Sequence, residues 1–371
     1  MWHAPYAGTV QDNGSATGQL TSFVNDARQI AADLLVPTAE AVDRSEVPLA
    51  HVRRIASAGL LAPTVPVELG GGGAAPAVGR EVVEVLSGAS GATWFVCTQH
   101  GSPVRTMQTS DNIELRARLM RPLASGSTLA GIALAHLRRP GTPAVSGVVA
   151  RGGWSVSGDV AWLSSWGLAD IVMLGFRDGA DVVFAMVPAV EAPGFTAGPL
   201  LPLAAMQAAR TVSVRLDDFF VSDADVAQRV PYDEWAERDA AMTANAAPAV
   251  FGLLGPVLAR MRHEGQRRHE PATVALAERL EGDTGALRSL AYSLIDDAPA
   301  GTRMSERLAV RAAVLELVVT ATSALVAAGA GASMSLAHPA QRWAREALFH
   351  LIQAQTPPVR AATMQRFLAG R

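Results

Sequence analysis

The chain has 371 residues, about half of them apolar, a formal net charge of −3 and a single cysteine, Cys97. That length is enough for two or three domains with sizeable cores, and the near-neutral balance points to neither nucleic acid nor an anionic membrane surface. One cysteine excludes an intrachain disulfide or a cysteine zinc site; no lysine occurs at all, which excludes Schiff-base, pyridoxal phosphate and Walker-type phosphate-loop chemistry whatever compositional bias lies behind it.

Residues 1–18 are rich in Gly, Ser and Thr and are expected to fray. Met1-Trp2-His3-Ala4-Pro5-Tyr6 lacks a charged start followed by an apolar run, so no signal peptide is expected and a cytoplasmic location is. Apolar spacings of three and four predict helices over Leu20–Leu35 and Leu49–Leu60. Val78–Leu86 and Trp94–Val96 predict a further buried helix pair.

After Pro122 the pattern turns to strands. Trp154 and Val156 alternate with Ser155 and Ser157, a Ser157-Gly158-Asp159 turn is expected to reverse the chain, and Val160 and Trp162 resume the alternation. The runs Ile171–Phe176 and Val182–Val187 flank Asp178-Gly179, a second hairpin. Beyond Val230 helices return: Ala236–Met261, bent or broken at Pro248 or Pro256, then Val274–Ile295 and Glu306–Ala328. The last is apolar almost all round, but Arg311 and Glu316 leave an apolar stretch shorter than the ~20 residues of a membrane span. It reads as a buried bundle helix or an oligomer interface.

Several of these segments, in order, resemble the acyl-CoA dehydrogenase superfamily. Trp162-Leu163-Ser164-Ser165 falls on its Trp-Ile-Thr/Ser-Asn motif, and Pro193-Gly194-Phe195-Thr196, Leu203–Met206, Thr211–Val214 and Asp217–Val221 follow the rest of its β domain. Gly59–Pro66 with Gly70–Gly73, then Ala327–Gly331, Pro339 and Arg345-Glu346-Ala347, match its motifs on either side. The resemblance implies an α+β multi-domain fold: an N-terminal helical domain (1–125), a middle antiparallel β-barrel or sandwich (126–225) and a C-terminal four-helix bundle (226–371). It also implies an FAD, retained, weakened or lost, an acyl thioester such as an acyl-CoA as small-molecule substrate, and a homodimer or homotetramer packed through the C-terminal helices.

Residue by residue, the resemblance puts Trp162, Leu163 and Ser164 against the flavin ring, the Ser164 hydroxyl at N5 and the Trp162 indole over one face. Arg268 falls near the family's pyrophosphate arginine, or is a surface arginine, since Arg267-Arg268-His269-Glu270-Pro271 replaces the Arg-Lys-x-Phe-Gly pattern. Gly329 and Gly331 resemble the loop that meets a partner subunit's cofactor, or serve as a helix C-cap.

The departures concern the chemistry. The Thr-Glu-Pro-x-Ala-Gly-Ser-Asp loop is replaced by Ala135-His136-Leu137-Arg138-Arg139-Pro140-Gly141-Thr142. Nine residues after Arg345, where the family carries its catalytic glutamate, stands Ala354; the alternative base position falls near Met242, and Gln207 replaces the arginine after Leu-Gly-Met. Desaturation without a positioned base loses on the order of 10²–10⁴-fold. His100 and His350 are the candidate substitutes, though a lone histidine on an apolar helix is more often a core or packing residue. Three functions follow: a flavin-dependent dehydrogenase-like oxidoreductase, a flavin monooxygenase of the same fold, or a non-catalytic homologue or partner subunit.

Overall fold

The computed structural model describes residues 16–369. The segment expected to fray lies outside the described residues up to position 15; Ala16 already opens a helix. Six helices precede the strands: α1 (Ala16–Ile30), α2 (Val36–Asp43), α3 (Leu49–Ser57), α4 (Pro76–Ala89), α5 (Gly91–Gln108) and α6 (Ile113–Ser125). Between α1 and α2 one π turn, Ala31–Leu35, carries the helix up to Pro37. Proline has no N–H to continue an i→i−4 ladder, and a π turn is one way a helix absorbs such a break. Pro122 lies inside α6, not at its end, and the first strand begins only at Ala130.

Eight strands follow: β1 (Ala130–Ala133), β2 (Val145–Ala150), β3 (Gly153–Leu163), β4 (Ile171–Asp178), β5 (Asp181–Pro188), β6 (Phe195–Leu200), β7 (Val212–Ser222) and β8 (Val226–Pro231). They form one mostly antiparallel sheet, β6-β7-β3-β2-β4-β5-β8, with β1 parallel to β4. The expected β4–β5 hairpin forms in the expected register, Phe176 opposite Val183, with Gly179 at φ +59 in the turn. Its strands are buried almost throughout: one face joins Leu174 and Phe176 to the sheet interior, the other packs Met173, Phe184 and Met186 on Met107, Leu115 and Leu123 of α5 and α6. Two buried faces explain their near-continuous apolar sequence.

The turn expected at Ser157-Gly158-Asp159 is not one. β3 runs straight through it, and the hairpin is β2–β3, closed at Arg151-Gly152. Gly158 sits at φ +137 with its Cα so near β2 that a Cβ would lie 2.0 Å from the Ala144 carbonyl oxygen. Opposite, β7 bulges at Asp218, φ +51, whose N–H and carboxylate are held by the hydroxyls of Ser157 and Ser155. Ser-Gly-Asp thus marks a close approach and a bulge, which use the same residue types as a turn.

Six helices complete the chain: α7 (Tyr232–Thr243), α8 (Pro248–Arg268), α9 (Pro271–Asp297), α10 (Met304–Gly329), α11 (Pro339–Ile352) and α12 (Pro357–Ala369). The expected break falls at Pro248, which opens α8, while Pro256 stays inside it. α4 and α8 cross where Gly88 and Gly252 meet: a Cβ on Gly252 would lie 2.2 Å from the Glu84 carbonyl oxygen, so only glycine permits that spacing. Two helical stretches, 232–268 and 304–334, are apolar and long enough to cross a membrane by composition alone. Both are instead about half buried within the protein, α10 against α8, α9, α11 and α12. The Arg345-Glu346 motif fastens this bundle to the N-terminal helices: Arg345 binds the Asp43 carboxylate, and Arg342 bridges Glu40 and buried Glu346.

Candidate functional site

The sheet side of the site is made by the end of β3. Val160 pairs with Val214 and Leu163 with Val212, so β3 spends one residue more than β7 over this stretch. That bulge breaks the alternation: Val160 and Leu163 both point inward, and Trp162, expected on the face of Val160, is 48% exposed. Ser164 is buried, its Oγ 2.9 Å from Thr211 Oγ1 on the neighbouring strand. Ser165 then turns the chain at φ +67, donating its N–H to the Ala209 carbonyl, while its own hydroxyl is buried without a partner. Trp166 continues inward and stacks on Phe195, ring centroids 6.0 Å apart. Trp162, Leu163 and Ser164 are therefore held on one rigid strand end, with an uncovered indole beside a buried hydroxyl.

The helix side is built around the turn Gln353–Thr356 between α11 and α12. Ala354 occupies it at φ +48. Behind it, Arg311 from α10 donates to the Thr243 carbonyl at the end of α7 and, at 2.7 Å, to the Gln353 carbonyl just past α11. One guanidinium thus closes two helix C-termini, where a cation is electrostatically favoured. Burial, with Arg138 close by, pushes its pKa down to about 10, so it stays charged. Met242 is half exposed, and the nearest carboxylate on its helix, Asp239, has both oxygens taken by Arg138 at 2.7 Å. Arg138 belongs to a short 3-10 turn, Ala135–Arg138, directly after β1. The rebuilt loop is therefore clamped onto α7.

His100 has both ring nitrogens engaged, and His350 is only weakly basic. His100 on α5 donates from Nε2 to the Leu123 carbonyl at 2.8 Å and accepts the Ala130 N–H at Nδ1, 3.0 Å. A carbonyl can only accept and an amide N–H only donate, so the ring is fixed as one neutral tautomer. Burial lowers its pKa, and protonating Nδ1 would break the Ala130 bond. His350 is buried, 5.4 Å from the Trp94 ring, with Nδ1 3.3 Å from Gln353 Oε1. Burial, aided by the charge of Arg311, drives its pKa down to about 4. The structure brings His350 to the position-354 turn, whereas His100 serves the β1–α6 junction.

Arg268 and Gly329 do meet, at the far end of the bundle: Arg268 donates to the Gly329 carbonyl at 2.9 Å. The buried Glu264 carboxylate sits among Arg260, Arg267 and Arg268. Burial alone would raise its pKa, but the Arg267 hydrogen bond and the Arg260 charge outweigh that and lower it. One carboxylate among three arginines leaves a net positive charge, and Arg260 Nε, Arg268 Nε and Ser333 Oγ are buried without partners. Gly329 packs so closely on Ser333 that a Cβ would lie 1.9 Å from its hydroxyl, while Gly331 faces open space. Unsatisfied donors around excess positive charge suit an anionic group such as a pyrophosphate. The uncovered Trp162 indole suits a flat ring, so the residues fit the two ends of an FAD.

Sequence reasoning missed Asp239, Thr211 and Glu264, which have no local motif. Arg311 carried a signal, a charge midway along an otherwise apolar helix, that marks a specific partner more often than chance.

Residues 17–127 match the family model of the acyl-CoA dehydrogenase N-terminal domain. Among curated proteins no sequence match was found. The fold matches butyryl-CoA dehydrogenase from Megasphaera elsdenii with a TM-score of 0.79 and 16% identity, over 97% of this chain and 100% of that one. Glutaryl-coenzyme A dehydrogenase, solved with glutaryl-CoA, matches at 0.78 and 16%, over 98% of both chains. PigA, solved with FAD and proline, matches at 0.75 and 14%, over 97% of this chain and 99% of that one.

Proposed function

We propose that this chain, whose residues 17–127 match the acyl-CoA dehydrogenase N-terminal domain and whose fold is that of acyl-CoA dehydrogenases, is a flavin-dependent oxidoreductase acting on an acyl thioester or a related substrate, by a route that does not use the family's glutamate. The observation that carries this reading is the uncovered Trp162 indole set beside the buried Ser164–Thr211 hydroxyl pair on the bulged end of β3. Such a half-exposed Trp on a rigid strand is a ready platform for a planar ring. A flavin bound there supplies hydride acceptance at N5.

The chain's own residues do the rest. Ser164, already paired with Thr211, offers a hydroxyl donor at the ring edge and is kept in place by that pair. Arg268, Arg260 and Ser333, with unpartnered buried donors at the far end of the bundle, would hold the pyrophosphate of such a cofactor. No residue at the position-354 turn is a strong proton acceptor: Ala354 has no acceptor at all, and His350, with a pKa near 4, is only a weak base. Straight-chain acyl-CoA desaturation is therefore expected to be slow. We carry the cytoplasmic location and the homodimer or homotetramer through the C-terminal helices as part of this reading.

A second reading, a non-catalytic homologue or partner subunit, is favoured by one observation: Asp239 and His100 are committed to the fold, and burial leaves His350 only weakly basic. The visible spectrum of the purified protein separates the two. The first reading expects flavin absorbance that survives gel filtration and is lost in Trp162→Ala; colourless protein that takes up no added FAD overturns it.

A further inference from the structure

We propose that the cavity beneath the loop after β1 is a binding site for a phosphate group that carries a proton, either hydrogen phosphate itself or the monoester terminus of a larger ligand. The cavity holds about 210 Å³, room for a tetrahedral oxyanion and several waters at about 30 Å³ each. It lies apart from Trp162, Ser164 and the position-354 turn, none of which lines it. The proposal goes beyond the flavin reading and does not depend on it.

Four side chains give the cavity its chemistry: His136, Arg139, Arg177 and Tyr232. No carboxylate lines it. The acidic residues of the adjacent hairpin, Asp178 and Asp181, are already paired with Arg229, and Asp239 is taken by Arg138. Arg139 stands exposed at the rim and has no ion-pair partner among the described residues. Arg177 is aimed by two carbonyls of the β4–β5 turn, Asp181 at 3.2 Å and Gly179 at 3.0 Å, and lies 3.8 Å over the Tyr232 ring. Tyr232 is fixed in turn by its hydroxyl, which donates to the Leu137 carbonyl at 3.0 Å. Pro140 and Pro143 stiffen the loop that roofs the cavity.

His136 is what makes the site selective. The side chain is 5% exposed, Nε2 donates to the Gly175 carbonyl at 2.7 Å, and Nδ1 is buried with no partner. Because a carbonyl only accepts, Nε2 bears the proton and Nδ1 is a bare lone pair. An unpartnered lone pair close enough to Arg139 to feel its charge, on a cavity that Arg177 also lines, calls for a ligand with both charged oxygens and a hydroxyl. Hydrogen phosphate and a singly protonated monoester have both; sulfate has the size and charge but no O–H, and carboxylates have neither a tetrahedral shape nor a proton. Burial and the neighbouring Arg139 charge lower the pKa of His136, which keeps Nδ1 an acceptor.

The test is calorimetric titration of the full chain at pH 6.5 and constant ionic strength with sodium phosphate, sodium sulfate and glycerol phosphate; near this pH a monoester still keeps part of its second proton. We expect one saturable phosphate site, at least about tenfold tighter than sulfate, the scale of one good charge-free hydrogen bond. Arg139→Ala should weaken phosphate about tenfold or more with an unchanged urea midpoint, because the residue is exposed. Arg151→Ala, an exposed arginine in the β2–β3 turn, should leave binding unchanged and so controls for net charge. Glycerol phosphate binding as tightly as phosphate assigns the site to a monoester terminus; phosphate binding alone assigns it to the free ion. No saturable phosphate binding, sulfate equal to phosphate, or Arg139→Ala equal to the parent would overturn the proposal.

Discussion

The sheet wall and the helix wall of the candidate site are built from opposite materials. On the sheet wall, Trp162 is open and Ser164 has only another hydroxyl for company. On the helix wall the charged groups are already committed, Arg311 to two carbonyls and Asp239 to Arg138, and His350 is packed on Trp94 with Nδ1 on Gln353. Residues that serve a cofactor stay under-used in the folded chain, whereas residues that serve the fold are saturated. The helix wall around Ala354 is of the second kind. Substitutions on that wall should therefore cost stability, and substitutions on the sheet wall should cost cofactor.

The largest cost is expected at Arg311. Arg311→Ala orphans the carbonyls of Thr243 and Gln353 and opens a buried gap, so unfolding in urea should show a loss of about 3–5 kcal/mol. A loss below about 1 kcal/mol would mean that the guanidinium is held for a ligand instead of for the helix ends.

Next comes the pH dependence set by His350. The unfolded chain takes a proton at an ordinary histidine pKa near 6.5, the folded chain only near 4. The unfolded state thus binds more protons in between, so stability is full above about pH 6.5 and falls as the pH drops toward 4, by about 3 kcal/mol. Urea midpoints measured across that window should flatten in His350→Phe; an unchanged slope would place the titration elsewhere.

A smaller effect is expected at His100. His100→Phe removes the acceptor of the Ala130 N–H and the donor to Leu123, for about 2 kcal/mol of stability, with no change in any flavin-dependent rate. A rate loss without a stability loss would return His100 to the chemistry. The smallest is at Trp162, where a half-exposed ring makes Trp162→Ala worth less than about 1 kcal/mol. That variant should nonetheless lose bound flavin, measured as absorbance per protein after gel filtration.

Much of the architecture was legible because it rests on local pattern. The β4–β5 hairpin announces itself through two apolar runs around Asp178-Gly179, and the long C-terminal helices through their periodicity. What misled was residue chemistry with more than one use. Ser157-Gly158-Asp159 has the composition of a turn but answers a close approach to β2 and a bulge at Asp218 on β7. Pro122 looks like a helix end and is tolerated inside α6. At the site, the missing glutamate was visible by spacing alone, since Ala354 falls in the turn after α11 as the motif requires. The clamp that replaces it was not. Arg311 reaches Thr243 across 68 residues and Arg138 reaches Asp239 across 101, and no local pattern encodes such pairs.

The central claim, a proposed cofactor platform at Trp162 combined with a position-354 turn that lacks the family's base, is tested most directly by anaerobic mixing of the flavin-loaded protein with straight-chain acyl-CoAs while flavin bleaching is followed. The account predicts slow or undetectable bleaching in the parent chain and its appearance in Ala354→Glu, which restores a carboxylate at the turn. Fast bleaching in the parent chain would contradict it, because a working base would then exist where the structure offers only the weakly basic His350.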